Sequence, residues 1–127
     1  MPIQPTDFLG VAQILAASPG ECELRSATSR AYYAAFHACK DWHDGLPMQG
    51  ANSGPPGGSH QQLINRLKNP DSGLPHIRKL LSRFTGTKLD VMRTRRHVAD
   101  YQLQASPVAT ETTDQITQAQ DLLLRLV

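Results

Sequence analysis

The sequence of residues 21–44 reads ECELRSATSRAYYAAFHACKDWHD and predicts a helix from about Glu21 to about Asp44. Small and apolar residues recur in it at intervals of three and four, which is the spacing of one helix face. The stripe consists of Leu24, Ala27, Ala31, Ala34, Ala35, Ala38 and Trp42. Because alanine side chains are small, another helix can approach such a stripe closely. We therefore expect the stripe to pack in a helical core.

Further helices are predicted on both sides of this segment. A first helix begins at a cap from Thr6 or Asp7 and ends at Ser-Pro-Gly, residues 18–20. The later helices are a short one capped by Ser59 and ended at Asn69-Pro70, a short one from Pro75 that carries Phe84, a long one from about Thr87 to about Gln104, and a last one that starts near Pro107 to Thr110. No segment alternates as a strand does. The predicted fold is all-α, an up-and-down bundle of four to five helices in a single domain, residues 1–127.

Between the second helix and Ser59 the composition changes sharply. Residues 45–58 read GLPMQGANSGPPGG, and their glycines and prolines oppose both helix and paired strand. The chain beyond this segment is too short to fold alone, so the segment is an insertion in the bundle and not a domain boundary. We expect a flexible surface loop with few apolar side chains to anchor it.

Composition limits the classes of function. The 127 residues are 39% hydrophobic and carry a formal charge of only +2, so any contact with nucleic acid must come from local clustering of Lys and Arg. Cys22 and Cys39 lie several turns apart in one predicted helix, which excludes a disulfide between them. No His or Cys residues share a ligand spacing, so we predict neither a metal nor another cofactor.

The sequence also bears on location. Its N-terminus, MPIQPTDF, lacks the basic start and apolar run of a signal peptide. No stretch reaches the roughly 18 apolar residues of a membrane helix. We therefore expect a soluble, cytoplasmic protein without a membrane partner.

Residues 89–103, LDVMRTRRHVADYQL, contain the most informative charges. On a helical wheel of about 100° per residue, an inward stripe is formed by Leu89, Met92, Ala99 and Leu103. Arg96 falls inside this stripe, where an apolar residue is expected. Arg93 and Asp100 lie at its edge, and His97 and Tyr101 lie beside them. Arg96 should therefore point toward the bundle or toward a partner chain.

Two interpretations of Arg96 remain open. In the structural one, Arg96 pairs with Asp100 four residues on, and the pair fixes helix packing. In the functional one, Arg93, Arg96, His97 and Tyr101 form a polar cluster. Arginine binds phosphate in a bidentate manner and histidine exchanges a proton near neutral pH, which would suffice for RNA cleavage without a metal.

Two runs resemble signatures of the HEPN family, in a branch of small bacterial proteins. Residues 24–37, LRSATSRAYYAAFH, are similar to the first signature, and residues 93–101, RTRRHVADY, are similar to the second. Ser59-His60 is similar as well. The resemblance implies a bundle of four or five helices that dimerises and places two copies of the second signature across a shared cleft. Many members are metal-independent ribonucleases, often toxins neutralised by a nucleotidyltransferase antitoxin.

The resemblance also implies roles for individual residues. Arg96 matches the family's catalytic Arg and His97 matches the polar residue after it, whereas Tyr101 stands where the family's final His would be. Because an unperturbed tyrosine has a pKa near 10, Tyr101 is a poor general base at pH 7. Either His97 takes over the proton transfer, or the protein binds RNA or nucleotide without cutting it.

Three hypotheses follow. The first is a homodimeric, toxin-type endoribonuclease with Arg96, His97 and Tyr101 as catalytic residues, Arg93 on the RNA phosphate and Asp100 as an orienting residue. The second is a non-catalytic module that binds a nucleotidyltransferase partner or a nucleotide. The third is a purely structural bundle. For Tyr32 and Tyr33 we favour core packing, and we interpret His60 as a neighbour of a helix cap.

Overall fold

A computed structural model describes residues 2–18 and 20–126. Its helices are α1 (Pro5–Ala16), α2 (Glu21–Asp44), α3 (Ser59–Lys68), α4 (His76–Tyr101) and α5 (Ala109–Arg125). The described residues contain no strand, so the predicted all-α fold is confirmed. None of the helices in these two ranges is long and apolar enough to cross a membrane.

Helix α2 lies at the centre of the bundle, where it packs against α1, α4 and α5. The alanine stripe explains this position, because Ala27, Ala31, Ala34 and Ala35 are all fully buried. Their small side chains let the neighbouring helices approach α2 closely. The other helices complete the core with Ala12, Leu63, Ile64, Leu67, Leu89, Met92, Ile116, Ala119 and Leu122.

Two predicted caps are displaced by one or more residues. Helix α1 begins at Pro5 with Gln4 as its N-cap, and the backbone N–H of Gln4 donates to the Asp7 carboxylate at 2.7 Å. Asp7 therefore completes a capping box from inside the helix, and the prediction that Thr6 or Asp7 caps it was wrong. Proline suits the first helical position because its missing N–H would have no partner there. In α3 the N-cap is Gly58, not Ser59.

The prediction of two helices between Pro75 and Gln104 was also wrong, since α4 runs unbroken from His76 to Tyr101. Gly86 in its middle does not break it. A Cβ atom at Gly86 would lie only 3.0 Å from Cβ of Leu67, so glycine serves here to let α3 and α4 approach each other. Beside this contact, Ser82 Oγ donates to the carbonyl of Leu67 at 2.6 Å.

The glycine- and proline-rich loop forms neither helix nor strand, as predicted, but it is anchored. The buried N–H of Gly50 donates to Nε2 of His43 at 3.1 Å, and Nη1 of Arg66 donates to the carbonyl of Gly50 at 2.8 Å. The amide of Asn65 donates to the carbonyl of Pro55 at 2.9 Å. Polar side chains of α2 and α3 thus hold the loop, which the expectation of few apolar anchors did not foresee.

The end of α4 is held by a side chain of α2. Nη1 of Arg25 donates to the carbonyls of Ala99 at 3.0 Å and Gln102 at 3.3 Å. The last carbonyls of a helix have no donor within the helix, and the N–H groups of a guanidinium can supply the missing hydrogen bonds. Nη2 of Arg25 also pairs with Glu21 at 3.0 Å. These contacts fix the turn of α4 that follows Arg96.

Candidate functional site

Arg96 lies where the second half of α4 packs against α2. Its Cζ atom is 5.5 Å from the ring centres of both Tyr32 and Tyr33, and 5.7 Å from that of Tyr101. Cations within about 6 Å of an aromatic ring are attracted by its electron-rich face. Only 13% of the Arg96 side chain is exposed. Three tyrosine rings therefore hold the guanidinium in a largely apolar setting.

The charge of Arg96 is only partly matched by the protein. Nη1 lies 3.5 Å from the carboxylate of Asp100, which also accepts a hydrogen bond from Ser29 Oγ at 3.1 Å. A good charge-assisted bond is shorter, about 2.7–2.9 Å. Nε of Arg96 is buried and has no hydrogen-bond partner among the described residues. The Arg96–Asp100 contact of the structural interpretation is present, yet it leaves most of the donor capacity of Arg96 unused.

An open groove of about 260 Å³ lies along this part of α4, lined by Arg93, Thr94, Arg96 and His97. Arg93 is held in place from α3, because its Nη1 donates to Oε1 of Gln61 at 2.7 Å. His97 is exposed. Two guanidinium groups and an imidazole thus share one groove, which is a suitable arrangement for binding an anion.

Tyr101 and His97 form the outer edge of the site. Their ring centres are 5.1 Å apart, and 65% of Tyr101 is exposed at the last residue of α4. The sequence-predicted residues Arg93, Arg96, His97, Asp100 and Tyr101 therefore do come together on one side of α4. Tyr101 contacts the Arg96 guanidinium with the face of its ring. Its side chain is exposed, so its hydroxyl is not part of a buried contact.

The sequence interpretation missed a pair of residues next to Arg96. Tyr32 is fully buried, as expected, but its hydroxyl lies 2.6 Å from Nδ1 of His60. The imidazole of His60 stacks on Phe36 with ring centres 4.1 Å apart. Far from being only a neighbour of a cap, His60 faces the bundle and packs against the same tyrosines as Arg96. The sequence did contain a signal for His60, because the pair Ser59-His60 is part of the resemblance to the HEPN family.

Burial and the neighbouring cations govern the ionisation of this pair. The pKa of His60 is lowered, mainly by burial and further by the charges of Arg96 and Arg93. The pKa of Tyr32 is raised well above 10 by burial, which outweighs the opposing effect of the two arginines. At neutral pH the phenol is therefore protonated and the imidazole is neutral.

The described residues contain no group of three His, Cys, Asp or Glu side chains that could hold a metal ion. Comparison of the chain with protein-family models, with curated proteins and with solved structures found no match. The resemblance to the HEPN family therefore rests on the residues of the two sequence runs and of Ser59-His60.

Proposed function

We propose that this protein is a HEPN-like endoribonuclease of the toxin type, which needs no metal and acts as a homodimer. The observation that carries the proposal is the placement of Arg96. Its guanidinium is held on tyrosine rings at the wall of an open groove, with donor capacity that Asp100 does not satisfy. A scissile phosphate in this groove would supply acceptors for the Nη groups of Arg96, because Nε is buried.

The proposed reaction is an internal transfer within RNA. The ribose 2′-oxygen attacks the adjacent phosphorus while its proton passes to His97. The bond from phosphorus to the 5′-oxygen then breaks, and the leaving oxygen takes up a proton from water. The hydroxide that remains takes the proton from His97, which restores the free base. Arg96 and Arg93 stabilise the additional negative charge on the phosphate in the transition state, and Tyr101 positions the substrate. The products are a 2′,3′-cyclic phosphate and a 5′-hydroxyl.

The direct test is incubation of the purified protein with RNA in excess EDTA. We expect cleavage to persist and the upstream products to end in a 2′,3′-cyclic phosphate, which mass spectrometry identifies. RNA in which every 2′-hydroxyl is replaced by hydrogen is the matched control, because it offers the same phosphates but no nucleophile. Cleavage of that control, or loss of all activity in EDTA, would contradict the proposed reaction.

A second function is favoured by one observation, the tyrosine at position 101. This side chain is exposed and stands where the resembled family has a histidine. A binding module would use Arg96 and Arg93 for the phosphates of a nucleotide, or would dock onto a nucleotidyltransferase, without cutting RNA. Such a protein would bind RNA or nucleotide and leave RNA intact in the same assay.

A further inference from the structure

The contact between Tyr32 and His60 determines which nitrogen of the imidazole carries the proton. Among the described residues, Nδ1 of His60 is the one partner of the buried Tyr32 hydroxyl, at 2.6 Å. If Nδ1 were the donor, the phenolic hydrogen of Tyr32 would be buried without an acceptor, which is unfavourable. Tyr32 therefore donates to Nδ1. In the neutral imidazole the proton then resides on Nε2.

The groups that face His60 keep it neutral. From α2 these are Tyr32, Tyr33 and His37, and from α4 they are Arg93 and Arg96. None of them is an anion. Because the nearby charges are positive and the ring is partly buried, protonation of His60 is disfavoured. At neutral pH, His60 is thus a neutral ring whose one N–H donor is Nε2.

His60 and Arg96 lie on the same two tyrosines. The ring of Tyr32 is 5.6 Å from His60 and 5.5 Å from Cζ of Arg96, and the ring of Tyr33 is 6.0 Å from His60 and 5.5 Å from the same Cζ. Gln61, the residue after His60, holds Arg93 at 2.7 Å. No acceptor for Nε2 of His60 is found within the described part of the chain. The start of α3 therefore carries an unused donor on the same tyrosine rings that hold Arg96, near enough to both arginines to feel their charge.

We propose that His60 is a further anion-binding residue of this site, whose neutral Nε2–H donates to an oxygen of the phosphodiester that Arg96 and Arg93 bind. The inference rests on the proposed function for the identity of the ligand. A neutral donor adds a directional contact without adding charge, so it contributes to orienting the phosphate more than to attracting it. Tyr32 acts through His60 as a positioning residue, since it fixes the tautomer.

The tautomer is tested by NMR of the full chain labelled with ¹⁵N-histidine. We expect an Nδ1 shift typical of an unprotonated nitrogen, an Nε2 shift typical of N–H, and a titration midpoint below about 6.5, the ordinary value for histidine. In Tyr32→Phe the hydroxyl is lost, and we expect the two tautomers to become mixed. A protonated Nδ1 in the wild type would overturn the inference.

Binding is tested with a deoxydinucleotide monophosphate, which carries a phosphodiester but cannot be cleaved by a 2′-hydroxyl. His60→Leu should weaken its binding about tenfold or more, the expected loss for a hydrogen bond to a charged group. His60→Gln retains an N–H near the position of Nε2 and should restore most of the affinity. His76→Gln is the matched control, because His76 is exposed at the start of α4, and it should bind as wild type does.

The outcomes separate this inference from the proposed function. If the probe binds through His60 while RNA stays intact, the inference stands and the nuclease proposal fails. If RNA is cleaved but His60→Leu, folded by circular dichroism, binds the probe as well as wild type, the inference fails alone. If wild type does not bind the probe and its histidine resonances do not move, the inference is overturned, and the nuclease proposal falls with it only if RNA also stays intact.

Discussion

Nη1 of Arg93 donates a hydrogen bond to Oε1 of Gln61 at 2.7 Å, and this bond joins α4 to the first turn of α3 at the site. Arg93 belongs to the run that resembles the second HEPN signature, whereas Gln61 follows Ser59-His60. The bond therefore aligns two parts of the chain that are 32 residues apart in sequence. It also holds the guanidinium of Arg93 at the groove that Arg96 lines.

Arg96→Ala should reduce RNA cleavage by roughly a hundredfold or more, because it removes the cation that stabilises the phosphate in the transition state. Arg95→Ala is the matched control, since Arg95 pairs with Asp114 at 2.7 Å and does not line the groove. Cleavage rates measured at equal protein concentration compare the two. If both variants keep helical circular dichroism and cut RNA equally well, Arg96 is not the catalytic cation.

His97→Ala should lower the cleavage rate more than Tyr101→Phe does. His97 is the proposed proton acceptor, whereas Tyr101 contributes its ring to Arg96, and phenylalanine retains that ring. Single-turnover kinetics with saturating protein would separate this loss from weaker binding. A larger loss in Tyr101→Phe than in His97→Ala would mean that the phenolic hydroxyl, and not His97, takes part in the proton transfer.

The protein should be a homodimer, with Arg96 of each chain close to the other chain. Arg96 lies in an open groove and is incompletely paired within its own chain, which a second copy would compensate. Light scattering across the micromolar range should give about twice the chain mass of 13.9 kDa. A monomer throughout that range would contradict the predicted dimer.

His43→Leu should lower the free energy of unfolding by about 1–3 kcal/mol, because it leaves the buried N–H of Gly50 without its acceptor. Urea unfolding followed by circular dichroism measures this change. His76→Leu removes an exposed imidazole and serves as the control, for which we expect less than about 0.5 kcal/mol. Equal stability of His43→Leu and wild type would indicate that the loop is not held through His43.

Stability should decrease as the pH falls through about 6.5, the ordinary pKa of histidine in an unfolded chain. Burial lowers the pKa values of His43 and His60 in the folded protein. Between those lowered values and about 6.5, the unfolded chain binds more protons than the folded one, so protons favour unfolding in that range. Urea unfolding between about pH 5 and pH 7.5 measures the effect.

The double variant His43→Leu, His60→Leu should have a flatter dependence of stability on pH over the same range, although it is less stable throughout. The test compares the slope of unfolding free energy against pH in the double variant with the slope in wild type. A slope as steep as that of wild type would assign the dependence to other groups.

The sequence predicted best those features that depend on one helix alone. The extent of α2 followed from its alanine spacing, and the side shared by Arg93, Arg96, His97 and Tyr101 followed from the periodicity of α4. The break expected before Thr87 was wrong because the close approach of Leu67 to Gly86 is a tertiary contact, which local composition does not reveal. The pairing of Tyr32 with His60 joins residues 28 positions apart and was missed for the same reason.

The bonds from Arg25 to the carbonyls of Ala99 and Gln102 restrain the C-terminal end of α4. Helices fray from their ends, and here a single guanidinium on the central helix closes the end that follows Arg96. If Arg25 released those carbonyls, the end of α4 would fray, and amide protons of its last turn would then exchange faster with solvent. The preorganisation of the groove depends on a residue that does not line it.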